Sequence, residues 1–200
     1  MSFQMYEGKE LLKSEAEALR AIKQQIGFPP NVTIEDHTVV KLDLSLTEVS
    51  DLRPLRTLKH LQELQLKYTD VSDVSPLEYL RELHVLYLGY SNVSKITPLR
   101  NLRELRYLDL AFTNISNLFP VRYLGNLRTL DVGYTKISDL APLRDLKKLR
   151  VLYLWGTNVS DLSPLEKLKH LRELGLGRTN VSENDEAVSR LKRKGVKVYF

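Results

Sequence analysis

Leu58-Lys59-His60-Leu61-Gln62-Glu63-Leu64-Gln65-Leu66-Lys67-Tyr68-Thr69-Asp70-Val71-Ser72-Asp73-Val74-Ser75-Pro76-Leu77-Glu78-Tyr79 is the stretch that decides the fold. Its apolar residues, continued to Leu80, fall at Leu58, Leu61, Leu64, Leu66, Val71, Val74, Leu77 and Leu80. Leu64 and Leu66 are two apart, the spacing of a strand with one buried face. The three-residue spacing that follows suits a tight 3₁₀ or short α turn. Pro76 stands near the start of that turn, where its missing N–H costs little. The unit reads as a strand, a bend, a short helical turn and a return.

The same string recurs every 22 residues. Thr47, Thr69, Ser91, Thr113, Thr135, Thr157 and Thr179 keep that interval, and so do Val49, Val71, Val93, Ile115, Ile137, Val159 and Val181. Prolines follow suit at Pro54, Pro76, Pro98, Pro120, Pro142 and Pro164. A single coil cannot bury its own leucines, whereas stacked coils share one continuous core.

The pattern Leu-x-x-Leu-x-Leu-x-x-Thr-x-Val-Ser-Asp-Leu-x-Pro-Leu-x-x-Leu resembles the leucine-rich repeat family. It is most similar to the 22-residue class of internalins and phosphatase-regulating repeat proteins, over residues 39–181. The resemblance implies an α/β solenoid, a right-handed superhelix with a parallel β-sheet on its concave side and short 3₁₀ or helical turns on its convex side. It also implies that partners dock on the concave face. One departure is the Thr or Ser that stands where the family usually has Asn, so a hydroxyl column, not an amide ladder, is left to hydrogen-bond the turn backbone.

Both ends of such a stack need caps, which the sequence places at 1–38 and 182–200 of a single domain. Ser14-Glu15-Ala16-Glu17 reads as a capping box opening a helix. Leu12, Ala16, Leu19, Ile22 and Ile26 form its apolar stripe, and Gly27 its stop. Pro29-Pro30 leads to a strand at Val32–Ile34, ahead of the first repeat strand near Val40–Leu44. At the other end Asp185–Leu191 reads as a helix closed by Gly195, and Val196–Phe200 as a last strand.

Composition narrows the function. The chain has 200 residues, 39 of them leucine, and no apolar run near the ~18 residues of a spanning helix, which argues against a membrane protein. Met1–Glu7 has neither a basic start nor an apolar run, so no secretory signal is visible and a cytoplasmic location is expected. The absence of cysteine excludes a disulfide framework, a thiolate metal site and a cysteine nucleophile. The net charge of +5 permits an acidic partner without requiring one.

Little points to catalysis, a cofactor or a metal. His60 and His170 share a repeat position but lie five coils apart, about 24 Å at strand spacing, too far to share a metal; His37 and His84 read as loop residues. Gly175-Leu176-Gly177 lacks the third glycine of a phosphate loop. The Asn-x-Ser/Thr triplets at Asn31, Asn92, Asn114, Asn158 and Asn180 read as structural, four of them products of the repeat itself.

The positions facing out beside the strand leucines carry the functional signal. Tyr68, Tyr90, Phe112 and Tyr134 occupy one offset, with Tyr87, Tyr107, Tyr153 and the sole tryptophan, Trp155, at neighbouring offsets. Strand alternation puts these columns on the open side as a ladder at roughly 5 Å spacing. Such residues bring large contact area with few torsions to freeze. The alternative is mutual stacking that only stiffens the array. Asp109 and Asp131 fall side by side in one column, giving an acidic centre on an open, solvated face that suits a partner's Arg or Lys.

Arg106, Arg128, Arg150 and Arg172 form a further column just before the strands. It reads either as a solvated flank or as a site for nucleic acid or another anionic partner, a reading weakened by the lack of interleaved aromatics. The sequence therefore predicts a non-enzymatic, monomeric scaffold that binds a protein or peptide through Tyr68, Tyr87, Tyr90, Tyr107, Phe112, Tyr134, Tyr153 and Trp155, with Asp109 and Asp131 setting charge specificity.

Overall fold

The repeat strands are three residues long because only one leucine pair per coil enforces extended backbone. In the computed structural model, which describes residues 2–200, these strands are β5 (Glu63–Gln65), β6 (Val85–Tyr87), β7 (Tyr107–Asp109), β8 (Thr129–Asp131), β9 (Val151–Tyr153) and β10 (Glu173–Gly175). They follow β4 (Thr38–Asp43) and pair in parallel with no slip: Leu42, Leu64, Leu86, Leu108, Leu130, Leu152 and Leu174 stand opposite one another. All seven are at most 1% exposed, so the solenoid expected from the spacing is the one formed.

Each strand ends in the same turn. The hydroxyl of every residue in the threonine column donates to the carbonyl three residues back, at 2.6–2.8 Å from Thr47 to Thr179. The hydroxyl thus secures its own coil's turn, while the backbone joins coils: Asn92, Asn114, Asn158 and Asn180 N–H donate to Val71, Val93, Ile137 and Val159 carbonyls. On the convex side the prolines open short 3₁₀ turns such as Ser75–Tyr79 and Ser163–Lys167. An acceptor side chain two residues ahead holds five of the six: Asp51, Asp73, Asn117, Asp139 and Asp161 accept from Arg53, Ser75, Phe119, Ala141 and Ser163 N–H at 2.7–2.9 Å, and Lys95 stands at that place before Thr97–Asn101.

The N-terminal cap differs from expectation. A hairpin of β1 (Phe3–Tyr6) and β2 (Lys9–Leu12) precedes α1 (Lys13–Ile26), and no capping box forms. Leu12, not Ser14, is the N-cap, because the hairpin delivers the chain straight into the helix: Lys13 N–H bonds the Ser2 carbonyl and Leu12 N–H that of His37. Glu15 consequently turns inward. It is 1% exposed, one carboxylate oxygen accepts from Val39 N–H at 2.7 Å, and the other has no partner. Burial pushes its pKa up, against the pull of the Val39 bond. Ala16, Leu19 and Ile22 are buried as the stripe requires, and Gly27 closes the helix in the left-handed region at φ +84°.

β3 (Asn31–Glu35) pairs antiparallel with β4 and forms one edge of a nine-stranded sheet. The other edge is β11 (Lys197–Tyr199), parallel to β10 and reached through α2 (Glu186–Arg193). Asp185 caps α2 by accepting from Ala187 N–H at 2.7 Å. One apolar core runs without a break from Tyr6 and Leu11 through the coil leucines to Val196. No helix of the described residues is long and apolar enough to cross a membrane.

Candidate functional site

The aromatic column sits where the backbone is least comfortable. Tyr68, Tyr90, Phe112 and Tyr134 are not strand residues, as alternation had them, but the left-handed residues of the turn that follows, with φ of +54° to +57°. A bulky residue there costs about 1–2 kcal/mol, and Gly or Asn would cost less. The turn aims all four rings the same way. They form a continuous stack with centroids 4.2–4.4 Å apart and planes within 17°, along one rim of the sheet. Each ring remains 40–50% exposed. Gly156 ends the stack, since a Cβ there would lie 2.7 Å from the Tyr134 ring.

Beside the stack runs a trough floored by small residues, Gly89, Ala111 and Gly133. Lys67 stands at its N-terminal end and Trp155 at its C-terminal end, both at the same repeat offset as the floor. Trp155 is half-buried because its indole lies across Gly175 and Gly177, whose missing side chains make the space. Its ring is nearly parallel to that of Tyr153, 6.2 Å away. Tyr87 and Tyr107 pack at 4.7 Å on the far side of the trough. Burial and the nearby Asp109 raise the Tyr107 phenol pKa, so that hydroxyl stays neutral at physiological pH.

The acidic centre is not uniformly open. Asp109 is 2% exposed, and its carboxylate accepts from Ala111 N–H at 2.9 Å and pairs with Lys67 Nζ at 2.7 Å. The expectation of two solvated carboxylates is corrected here: Lys67 reaches across Gly89 from two coils away and neutralises Asp109. Asp131 accepts the matching bond from Gly133 N–H at 2.9 Å, remains half-buried and, among the described residues, has no cation within ion-pair distance. Desolvation first, then repulsion from Asp109, raises its pKa. Sequence reading gave Lys67 and Gly89 no role; the signal was present as a lysine and a glycine in one column, two coils and one coil ahead of Asp109.

Arg106, Arg128, Arg150 and Arg172 are exposed at the opposite ends of the strands from the aromatic stack. Among the described residues none of the four pairs with a carboxylate; Arg172 bonds the Lys169 and Leu171 carbonyls. His60 lies 3.3 Å from Glu82 and His37 3.5 Å from Glu10, all on the surface.

A family model described as leucine rich repeats (2 copies) matches residues 147–188. The solved structure of an internalin, InlF, from Listeria monocytogenes is 26% identical over 94% of this chain and 55% of its own, with a TM-score of 0.75. The chain carries leucine-rich repeats and has their solenoid fold. It spans about half the length of that internalin. A leucine-rich repeat protein of Leptospira interrogans is 24% identical over 77% of this chain and 40% of its own, with a TM-score of 0.70. The plant peptide hormone receptor RGFR1, solved in complex with RGF2, is 21% identical over 71% of this chain and 25% of its own, with a TM-score of 0.62. No curated protein matches the sequence. Leucine-rich repeat proteins commonly serve as protein-binding scaffolds.

Proposed function

We propose that this leucine-rich repeat protein is a non-enzymatic scaffold that binds a protein or peptide along its concave face. The contact surface is the stack Tyr68, Tyr90, Phe112 and Tyr134 with the adjoining Tyr87, Tyr107, Tyr153 and Trp155. The observation that carries this reading is the backbone strain beneath the stack. Each ring pair contributes about 0.5–1.5 kcal/mol, and each left-handed aromatic costs about 1–2 kcal/mol. Three ring pairs against four left-handed aromatics means that stacking at best offsets its own strain. The exposed half of each ring supplies the area that partner binding would use. The peptide hormone receptor RGFR1, which shares the fold, was solved with RGF2, and this supports the same use of the architecture.

The test is a set of peptides selected against the wild-type protein from a displayed random library. Each of Tyr90→Ala, Tyr134→Ala and Trp155→Ala is expected to weaken the selected peptides roughly ten-fold or more. Unchanged affinity in all three variants removes the site assignment.

The unpaired arginine column favours a second reading, an anionic partner such as nucleic acid held along Arg106, Arg128, Arg150 and Arg172. Salt separates the two. Binding to phosphates weakens steeply as salt rises, whereas an aromatic interface changes little.

A further inference from the structure

The trough contains one completed cation site and one that lacks its cation. In the completed site Lys67 Nζ is 2.7 Å from Asp109 Oδ2 and 5.3 Å from the centre of the Tyr87 ring. The ammonium is held by a carboxylate and an aromatic face together. It gets there because Gly89 lies between, where a Cβ would stand 3.0 Å from Asp109 Oδ1. One strand further on, Asp131 has the same backbone bond as Asp109. The next residue in its column is Tyr153, as Tyr87 is for Asp109 on the other side. Lys67 precedes Asp109 by 42 residues; the residue 42 before Asp131 is Gly89, which carries no charge. Two carboxylates in the trough thus share one ammonium.

We propose that Asp131, beside Tyr153 in its column, is the subsite for a cationic side chain, lysine or arginine, of a peptide lying along the trough. This rests on the reading of the concave face as the docking surface, and names what that surface selects. Charge complementarity commits the occupant: the site repeats Asp109 with the cation missing. Asp131 is reachable, being half-buried where Asp109 is covered. Ala111, in the place of Gly89 one coil on, carries the Cβ that Gly89 lacks, so a guest stem comes to Asp131 from the open side of the trough and not along the path of Lys67. The guest cation's charge would offset the desolvation and the repulsion from Asp109 that disfavour the Asp131 carboxylate.

The experiment uses a displayed random dodecapeptide library panned on the full chain, followed by affinity measurement on individual peptides. The expected pool carries Lys or Arg at one fixed position. Replacing that residue with norleucine is expected to weaken binding to the wild type about ten-fold or more. On Asp131→Asn, which keeps the oxygen that accepts from Gly133 N–H, the lysine peptide and its norleucine twin are expected to bind alike. The norleucine comparison on the wild type stands without any variant, should Asp131→Asn fail to fold. A pool without a fixed cation overturns the subsite, and so does a lysine preference that survives in folded Asp131→Asn. If the peptides in either case still lose affinity on Tyr90→Ala, the docking surface itself stands. A pool indifferent to Tyr90→Ala, Tyr134→Ala and Trp155→Ala removes the docking surface and the subsite with it.

Discussion

At the scale of single residues, the threonine column and the left-handed column define each turn together. A hydroxyl that donates back to the carbonyl just after the strand, Leu110 for Thr113, holds the turn closed, and the residue before it takes the positive φ. Only at Gly156 does that position carry the residue the backbone prefers, and there two requirements coincide: φ is +62°, and the Tyr134 ring fills the space of a side chain. Gly156→Ala is therefore expected to cost about 1–3 kcal/mol and to lower the melting temperature by several degrees. A thermal melt superimposable on wild type would show that the Tyr134 ring does not rest there. The carboxylates tell the same story of neighbours. Asp109 and Asp131 are alike in sequence and differ in structure because a lysine lies two coils ahead of one and a glycine two coils ahead of the other.

At the scale of elements, periodicity made the coils legible and left the caps only partly so. Strands, proline-led turns, the helix ending at Gly27 and the closing helix and strand all follow from spacing that repeats or from local stop signals. The β1–β2 hairpin does not repeat and has only four residues per strand, so it left no periodic signal. Its presence shifted the start of α1 and turned Glu15, which resembles a surface capping residue, into a buried one. That placement has a consequence for stability. Burial raises the folded-state pKa of Glu15 above the ordinary 4.5. Between those two values the folded chain binds more protons than the unfolded one, so this group's contribution to stability falls as pH rises through the window and stays low above it. Glu15→Gln keeps an oxygen for Val39 N–H and removes the charge. Urea denaturation from pH 4 to pH 7 is expected to show wild type losing stability relative to Glu15→Gln as pH rises. A constant difference between the two across that range would mean that Glu15 titrates normally in the fold.

At the scale of the whole molecule, regular stacking turns a one-dimensional repeat into two stripes at opposite ends of the same strands, one aromatic and one basic. The register was readable from the unbroken 22-residue interval, and so was which side chains would become neighbours. What that interval does not carry is reach. Lys67 crossing to Asp109, and Trp155 covering Gly175 and Gly177, depend on side-chain length and on glycines in adjacent coils, which a position-by-position reading treats separately. The strain under the aromatic stack was likewise invisible, since left-handed backbone at Tyr68 to Tyr134 runs against residue preference.

The claim at the centre of this account is that the stack faces a partner and is not merely structural filler. Tyr90→Asn with Tyr134→Asn tests it most directly, because asparagine suits the left-handed turn while removing the ring. The double variant breaks all three ring pairs, about 1.5–4.5 kcal/mol, and relieves strain at two residues, about 2–4 kcal/mol, and these oppose one another. Affinity for a selected peptide and the melting temperature are measured on the same double variant. Affinity is expected to fall by roughly two orders of magnitude while the melting temperature stays within a few degrees of wild type. Undiminished affinity with a collapsed melting temperature would contradict it, and would leave the rings as a stiffening spine alone.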